Sequence, residues 1–169
     1  MARKSMILKP EQIKDNPFRA VGKDWMLISA GTQEAHNMMT ASWGAWGVLW
    51  HRPVCFCFVR PNRHTYGFME QNSFYTLNFF TEKYRKVLNF CGSKSGRDVN
   101  KVEATGLTVR SDKSGAVYFA QAHLVIVCKK IYAQRVDPRC FLDPSIEDNY
   151  PKKDYHQMYV GEVVRCLEP

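Results

Sequence analysis

A chain of 169 residues is long enough to form one domain with a sizeable core. Its 45% apolar and 24% charged content excludes a disordered chain, and no apolar run reaches the roughly 20 residues of a membrane-spanning helix. A formal net charge of +8 favours anionic partners: nucleic acid, a membrane surface or a phosphorylated ligand. The basic residues recur in short clusters, Arg60/Arg63, Lys94/Arg97/Lys101, Lys129/Lys130 and Lys152/Lys153. That spacing suits a small anion better than a polymeric backbone. Residues 1–18 carry basic side chains without an apolar h-region, which reads as no secretory signal and points to the cytoplasm. Of the cysteines, Cys55 and Cys57 sit in an apolar run and Cys128 in LVIVCKK, so they read as buried thiols. No CxxC spacing occurs, so no metal site is expected, and a cytosolic chain needs no disulfides.

In chain order, the first strand is expected at residues 23–30 and the second at 37–43. Residues 53–60 (PVCFCFVR) form a third, apolar on both faces, the pattern of a strand covered on both sides. A short helix is expected at 65–71, after the RPNRHT turn. Residues 73–79, rich in aromatic and β-branched side chains, form the fourth strand. Tyr84, Val87, Leu88 and Cys91 recur at i, i+3, i+4 and i+7, which predicts a helix over 82–91. Gly92 follows as its expected stop. A third helix is expected over 98–104, closed by Gly106. Strands follow at 117–120, 122–133 and 155–167, and Gly161 inside the last predicts a bulge or a close backbone approach. Residues 137–151, rich in proline, read as a structured loop. The sum is a mainly β protein with short helices, a β-barrel with helical excursions. No point in the chain marks a boundary, so residues 1–169 read as a single domain.

Several chemistries lack their motifs. There is no GxGxxG between a strand and a helix, no Walker A sequence, no zincin pair and no GxSxG. Three segments stand out instead. In 37–43, Asn37, Thr40 and Ser42 alternate with Met38, Ala41 and Trp43 near a strand end. Backbone amides, small hydroxyls and nearby aromatics there suit a flat ring with a polar rim. Taken alone, the segment reads as a half-buried strand with its polar side to water. In 60–66, Arg60, Arg63 and Thr65 follow a buried strand. Guanidinium forks match phosphate geometry, and backbone amides at a helix start complete such a site. An exposed basic turn accounts for it equally well. In 91–98 (CGSKSGRD), two glycines permit tight turns beside Lys94 and Arg97. Alone, it reads as a helix-to-helix linker with solvated charges and Cys91 as the last apolar residue of its helix. His156, in DYHQMYVG, is a lone strand histidine.

Taken together these segments resemble the flavin reductase-like family, especially its flavoredoxin-type branch. The resemblance rests on NMMTASWG (37–44), VRPNRHTY (59–66), NFCGSKSGRDVNK (89–101), GLT (106–108) and an HxxxxGEV segment (156–163), in the family's order. It implies a split β-barrel, non-covalently bound FMN and a homodimer with flavin sites near the subunit interface. It implies that 37–43 lines the isoalloxazine and ribityl chain, that 60–66 lies near the phosphate, and that 95–101 closes over the flavin. The cofactor-binding residues it implies are Asn37, Thr40, Ala41, Ser42, Trp43, Arg60, Arg63, Thr65, Ser95, Gly96 and Arg97, with His156 beside the flavin. Trp46, Trp50 and His51 extend the second segment with bulky groups.

The function this implies is an oxidoreductase. NADH or NADPH passes a hydride to the flavin, which passes electrons to free flavin, a redox protein partner or another acceptor. Hydride transfer needs no side-chain acid or base, so no catalytic residue is named. The alternative is a non-catalytic FMN electron carrier reduced by a partner protein. A basic nucleic-acid-binding barrel lacks any recognisable RNA-binding signature here. Neither a nucleic-acid nor a membrane partner is expected.

Overall fold

The computed structural model describes residues 5–169, so the first four residues of the basic N-terminal stretch lie outside it. The strands are β1 (Met6–Leu8), β2 (Met26–Gly31), β3 (His36–Ala41), β4 (Gly44–Leu49), β5 (Arg52–Val59), β6 (Phe74–Phe79), β7 (Val109–Ser111), β8 (Val117–Phe119), β9 (Leu124–Arg135) and β10 (Gln157–Glu168). The short helices are α1 (Pro17–Arg19), α2 (His64–Gln71), α3 (Arg85–Ser93) and α4 (Lys101–Thr105). The protein is mainly β with few short helices, as the sequence predicts.

Seven strands form an antiparallel path, β3-β2-β6-β9-β10-β5-β4, and β1 pairs with the far end of β10. The two end strands, β3 and β4, are consecutive in the chain and joined only by Ser42 and Trp43. The sheet therefore curls until its ends meet at that dipeptide without pairing, and the barrel is split there. Trp46 on β4 reaches across the interior to Phe79 on β6, with ring centroids 5.3 Å apart.

The barrel has a covered face on each side, which explains the apolar runs. Side chains alternate along a strand. Ile28, Ile126 and Cys128 point into the interior with Cys55, Cys57, Leu77 and Phe79. Leu27, Val125 and Val127 point outward and are covered by Leu88 of α3 and Phe119 of β8. Every residue of β2 is buried for this reason. Gly161 behaves as predicted: the β9–β10 register shifts beside it, and a Cβ there would collide with the Tyr75 hydroxyl and Cys128.

The structure departs from the sequence expectation in several places. The helix of 82–91 is a 3-10 turn over Glu82–Tyr84 followed by α3. It runs through Gly92, whose missing side chain makes room for Thr40, 3.3 Å from where a Cβ would lie. Strand β4, like β1 and β7, has no counterpart in the sequence reading. Of the aromatics around it, Trp46 packs against the core, while Trp43 and Trp50 are 43% and 54% exposed. Gly106, by contrast, closes α4 in the left-handed conformation, φ 68°.

Candidate functional site

The split in the barrel is also where the singled-out segments meet. A narrow cavity of about 140 Å³ is lined by Thr40, Ala41, Ser42 and Trp43 from the β3–β4 link, with Phe58 and His156 opposite. A wider cleft of about 620 Å³ opens beside it, lined by Asn37, Thr65, Ser95, Gly96 and Arg97. Met39, Arg60 and Arg63 line both, so the two are confluent. All twelve residues singled out in the sequence therefore face one composite site.

The local sequence explains each placement. β3 carries 37–41 in register with β2 and β2 with β6, so its edge position is fixed by three buried strands. Arg60 leaves the end of β5, and the turn after it feeds α2, whose N-terminus borders the cleft with its free amides and partial positive charge. Ser95–Arg97 belong to the connection between α3 and α4. That connection sits tight on β3: a Cβ on Gly96 would overlap the Asn37 side-chain oxygen.

The two arginines are not equivalent. Arg60 donates to Asp154 Oδ1 at 2.7 Å and to the Asn149 carbonyl at 2.8 Å, and lies over the Tyr150 ring at 5.0 Å. It staples residues 149–154 onto the cleft wall. Arg63 is exposed, and among the described residues its side chain makes one hydrogen bond, 3.4 Å to the Gly92 carbonyl. Thr65 is fully buried, and its hydroxyl oxygen accepts from the Asn37 amide at 2.8 Å. Arg97 donates to the Asn62 carbonyl at 3.2 Å.

His156 is buried among rings, 5.0 Å from Trp43 and 5.5 Å from Tyr150. A 2.9 Å hydrogen bond joins its Nδ1 to the Tyr150 hydroxyl. Burial, reinforced by Arg60, pushes its pKa down to about 4, so it is neutral at physiological pH. Cys91 lines the cleft, but burial pushes its thiol up to about 11, which is the setting of an unreactive thiol.

Sequence reasoning missed Lys101 as a site residue. Its ammonium is buried and donates to the Met38 carbonyl at 2.9 Å and the Cys91 carbonyl at 2.8 Å. Burial lowers its pKa. It and Arg63 meet the last carbonyls of α3, the negative end of that helix. Lys94 and Lys152 also line the cleft. The signal for all three was their place in short basic clusters. Among the described residues, no group of three or more His, Cys, Asp or Glu side chains is placed to hold a metal ion. Among the described residues, no helix is long and apolar enough to cross a membrane.

Comparison with known proteins agrees with this architecture. The model of the flavin reductase-like domain matches residues 18–169. No curated protein matches the sequence. Among solved structures, an FMN-binding domain of a flavin reductase-like enzyme from Shewanella baltica superposes with a TM-score of 0.71 at 18% identity, covering 99% of this chain and 78% of its own. A flavoredoxin from Methanosarcina acetivorans gives 0.65 at 19% identity, over 85% and 67%. An NADH:FAD oxidoreductase from Streptomyces globisporus, solved with NAD and FAD fragments, gives 0.64 at 14%, over 85% and 73%. Likeness at these identities shows the fold, and the domain match shows the family: the chain belongs to the flavin reductase-like family.

Proposed function

We propose that this family member binds FMN and acts as an NAD(P)H-dependent flavin reductase. The observation that carries the reading is the convergence of distant segments on two confluent cavities, one lined by aromatic rings and the other by most of the cations. The residues present fit the cofactor. Ring faces of Trp43 and His156 beside the small Ala41 and Ser42 suit a flat ring with a polar rim. Arg63 and the start of α2 suit a phosphate. Bound FMN would supply the redox chemistry, accepting a hydride from a reduced nicotinamide and releasing electrons to an acceptor. The chain binds, orients and shields. Neutral His156 adds no charge beside the ring, and Arg60 holds the 149–154 wall closed through Asp154. No side chain is assigned a proton transfer, and the donor is NADH or NADPH.

The second reading, a flavoredoxin-like carrier reduced by a protein, is favoured by one observation: Trp43, at the mouth of the narrow cavity, is half-exposed and within reach of a docking partner. The purified protein should show a flavin spectrum, directly or after adding FMN, and stopped-flow mixing with NADH and NADPH should bleach it. Failure to bind micromolar FMN refutes the family-based reading. Binding without bleaching selects the carrier.

The same reading includes a two-fold homodimer. Val48, Trp50 and Tyr132 form an exposed apolar patch on the β4–β5 tip and β9, with Trp50 and Tyr132 rings 5.9 Å apart. Light scattering that returned the mass of one chain would refute it. All six cysteines are free, Cys140 among them exposed, which fits a reducing compartment, and we assign the cytoplasm.

A further inference from the structure

The wide cleft carries more positive charge than one flavin phosphate can use. Its lining holds Arg60, Arg63, Lys94, Arg97, Lys101 and Lys152 against a single carboxylate, Asp154. Three of these six are already employed. Arg60 is paired with Asp154, Lys101 is buried on two backbone carbonyls, and Arg97 is tied to the Asn62 carbonyl. Arg63 lines both cavities, so it is the cation next to a ligand whose ring fills the narrow one. Lys94 and Lys152 remain. Both are exposed, both line only the wide cleft, and they come from different walls: the α3–α4 connection and the loop before β10. Among the described residues neither ammonium has an ion-pair partner. The neighbouring Lys153, in contrast, is paired with Glu147. Two cations from different segments of one concave lining, neither with an ion-pair partner among the described residues, form an anion trap distinct from the one at Arg63.

Resting on the FMN reading above, we infer that Lys94 and Lys152 form a second phosphoryl subsite, which holds the phosphates of the nicotinamide dinucleotide that donates electrons. A dinucleotide with its nicotinamide at the flavin must send its pyrophosphate and adenylate outward, and the wide cleft adjoins the narrow cavity through Met39, Arg60 and Arg63.

The test uses the FMN-loaded protein and titrates NAD⁺ and NADP⁺ by calorimetry, on the natural chain and on a Lys94→Gln/Lys152→Gln variant. FMN affinity and melting temperature are measured on both. Two exposed cations lost should weaken dinucleotide binding about tenfold, with FMN affinity unchanged within about twofold. Equal loss for both dinucleotides assigns the pyrophosphate to the subsite; loss confined to NADP⁺ assigns the extra ribose phosphate. Either supports the inference. It is overturned if the natural protein binds FMN but neither dinucleotide, if the variant binds them as well as the natural chain, or if FMN affinity falls in parallel. That last result would give the lysines to the flavin phosphate. Failure to bind FMN at all refutes the underlying reading and is scored separately by the FMN titration.

Discussion

Replacing Arg63 and Arg60 by alanine, one at a time, should have opposite consequences. Arg63 is exposed, and among the described residues its side chain makes one long hydrogen bond, 3.4 Å to the Gly92 carbonyl, so the fold loses little when it goes. If it holds the FMN phosphate, its loss removes a charge-assisted hydrogen bond worth about 1.5–3 kcal/mol. At about 1.4 kcal/mol per decade, FMN binding weakens roughly ten- to a hundredfold. Riboflavin has no phosphate and should bind almost unchanged. Arg60 is different. Its pair with Asp154 is largely shielded, with side chains 23% and 18% exposed, and it also supports the Asn149 carbonyl and the Tyr150 ring. Breaking such a pair costs more than a surface pair and less than a fully buried one, about 1–3 kcal/mol. Arg60→Ala should lower the melting temperature, loosen the 149–154 wall, and weaken FMN and riboflavin alike. The assay is fluorescence titration of each variant with both ligands, alongside thermal denaturation. If Arg63→Ala bound FMN normally, or lost riboflavin in equal measure, Arg63 would not hold the phosphate. The Ser95–Lys101 connection would then be the next candidate.

Three further outcomes follow from the same geometry. His156 is lowered from 6.5 to about 4, so the unfolded chain binds the proton more readily and stability falls as pH drops from about 6.5 towards 4. The drop corresponds to at most about 3 kcal/mol, and urea melts across that range should show a flatter pH dependence for His156→Gln. Gly96→Ala drives a methyl into Asn37, which should cost about 1–3 kcal/mol, break the Asn37–Thr65 bond and weaken flavin binding; a normal melting curve and affinity would refute the tight approach. Lys101→Met leaves the Met38 and Cys91 carbonyls without their donor, costing about 1–3 kcal/mol for each carbonyl left unpaired, and calorimetry should show a melting temperature lower by at least several degrees.

What the sequence revealed, and what it hid, divides along physical lines. Strands with two covered faces were legible, because alternating interior and exterior burial makes runs such as LVIVC on β9 continuously apolar. β4 was not legible. None of its residues is fully buried, Gly47 and Val48 are exposed in succession, and its turn lacks any glycine signature. The β4–β5 hairpin turns on Trp50 and His51, both left-handed at φ 52° and 58°, where Asn-Gly or Asp-Gly is the usual pair. Bulky residues held there are strained, and no local rule announces them. The residues that line the composite cavity could be singled out because most occur in short runs, NMMTASW, RPNRHT and CGSKSGRD. Their division of labour was not, because it depends on partners far away in the chain. Nothing near Arg60 in sequence shows that Asp154 already neutralises it, and nothing near Lys101 shows that two carbonyls bury its ammonium.

That hidden division gives the site its electrical shape. The narrow cavity is held neutral at the ring of His156, whose proton is kept off first by burial and then by Arg60. His64, beside the wide cleft, is also lowered, by burial and then by Arg97 and Lys101. Two imidazoles on separate elements thus sense the same positive field, one at each end of the composite site. The wide cleft adds Lys94, Arg97, Lys101 and Lys152 to the two arginines that both cavities share, so the anionic end of a ligand is drawn there more strongly. A phosphate placed in the narrow cavity would gain from Arg63, but would lose its water to the rings of Trp43, Phe58 and His156. Entry ring-first is therefore the arrangement that leaves the charge where the cations and solvent both are.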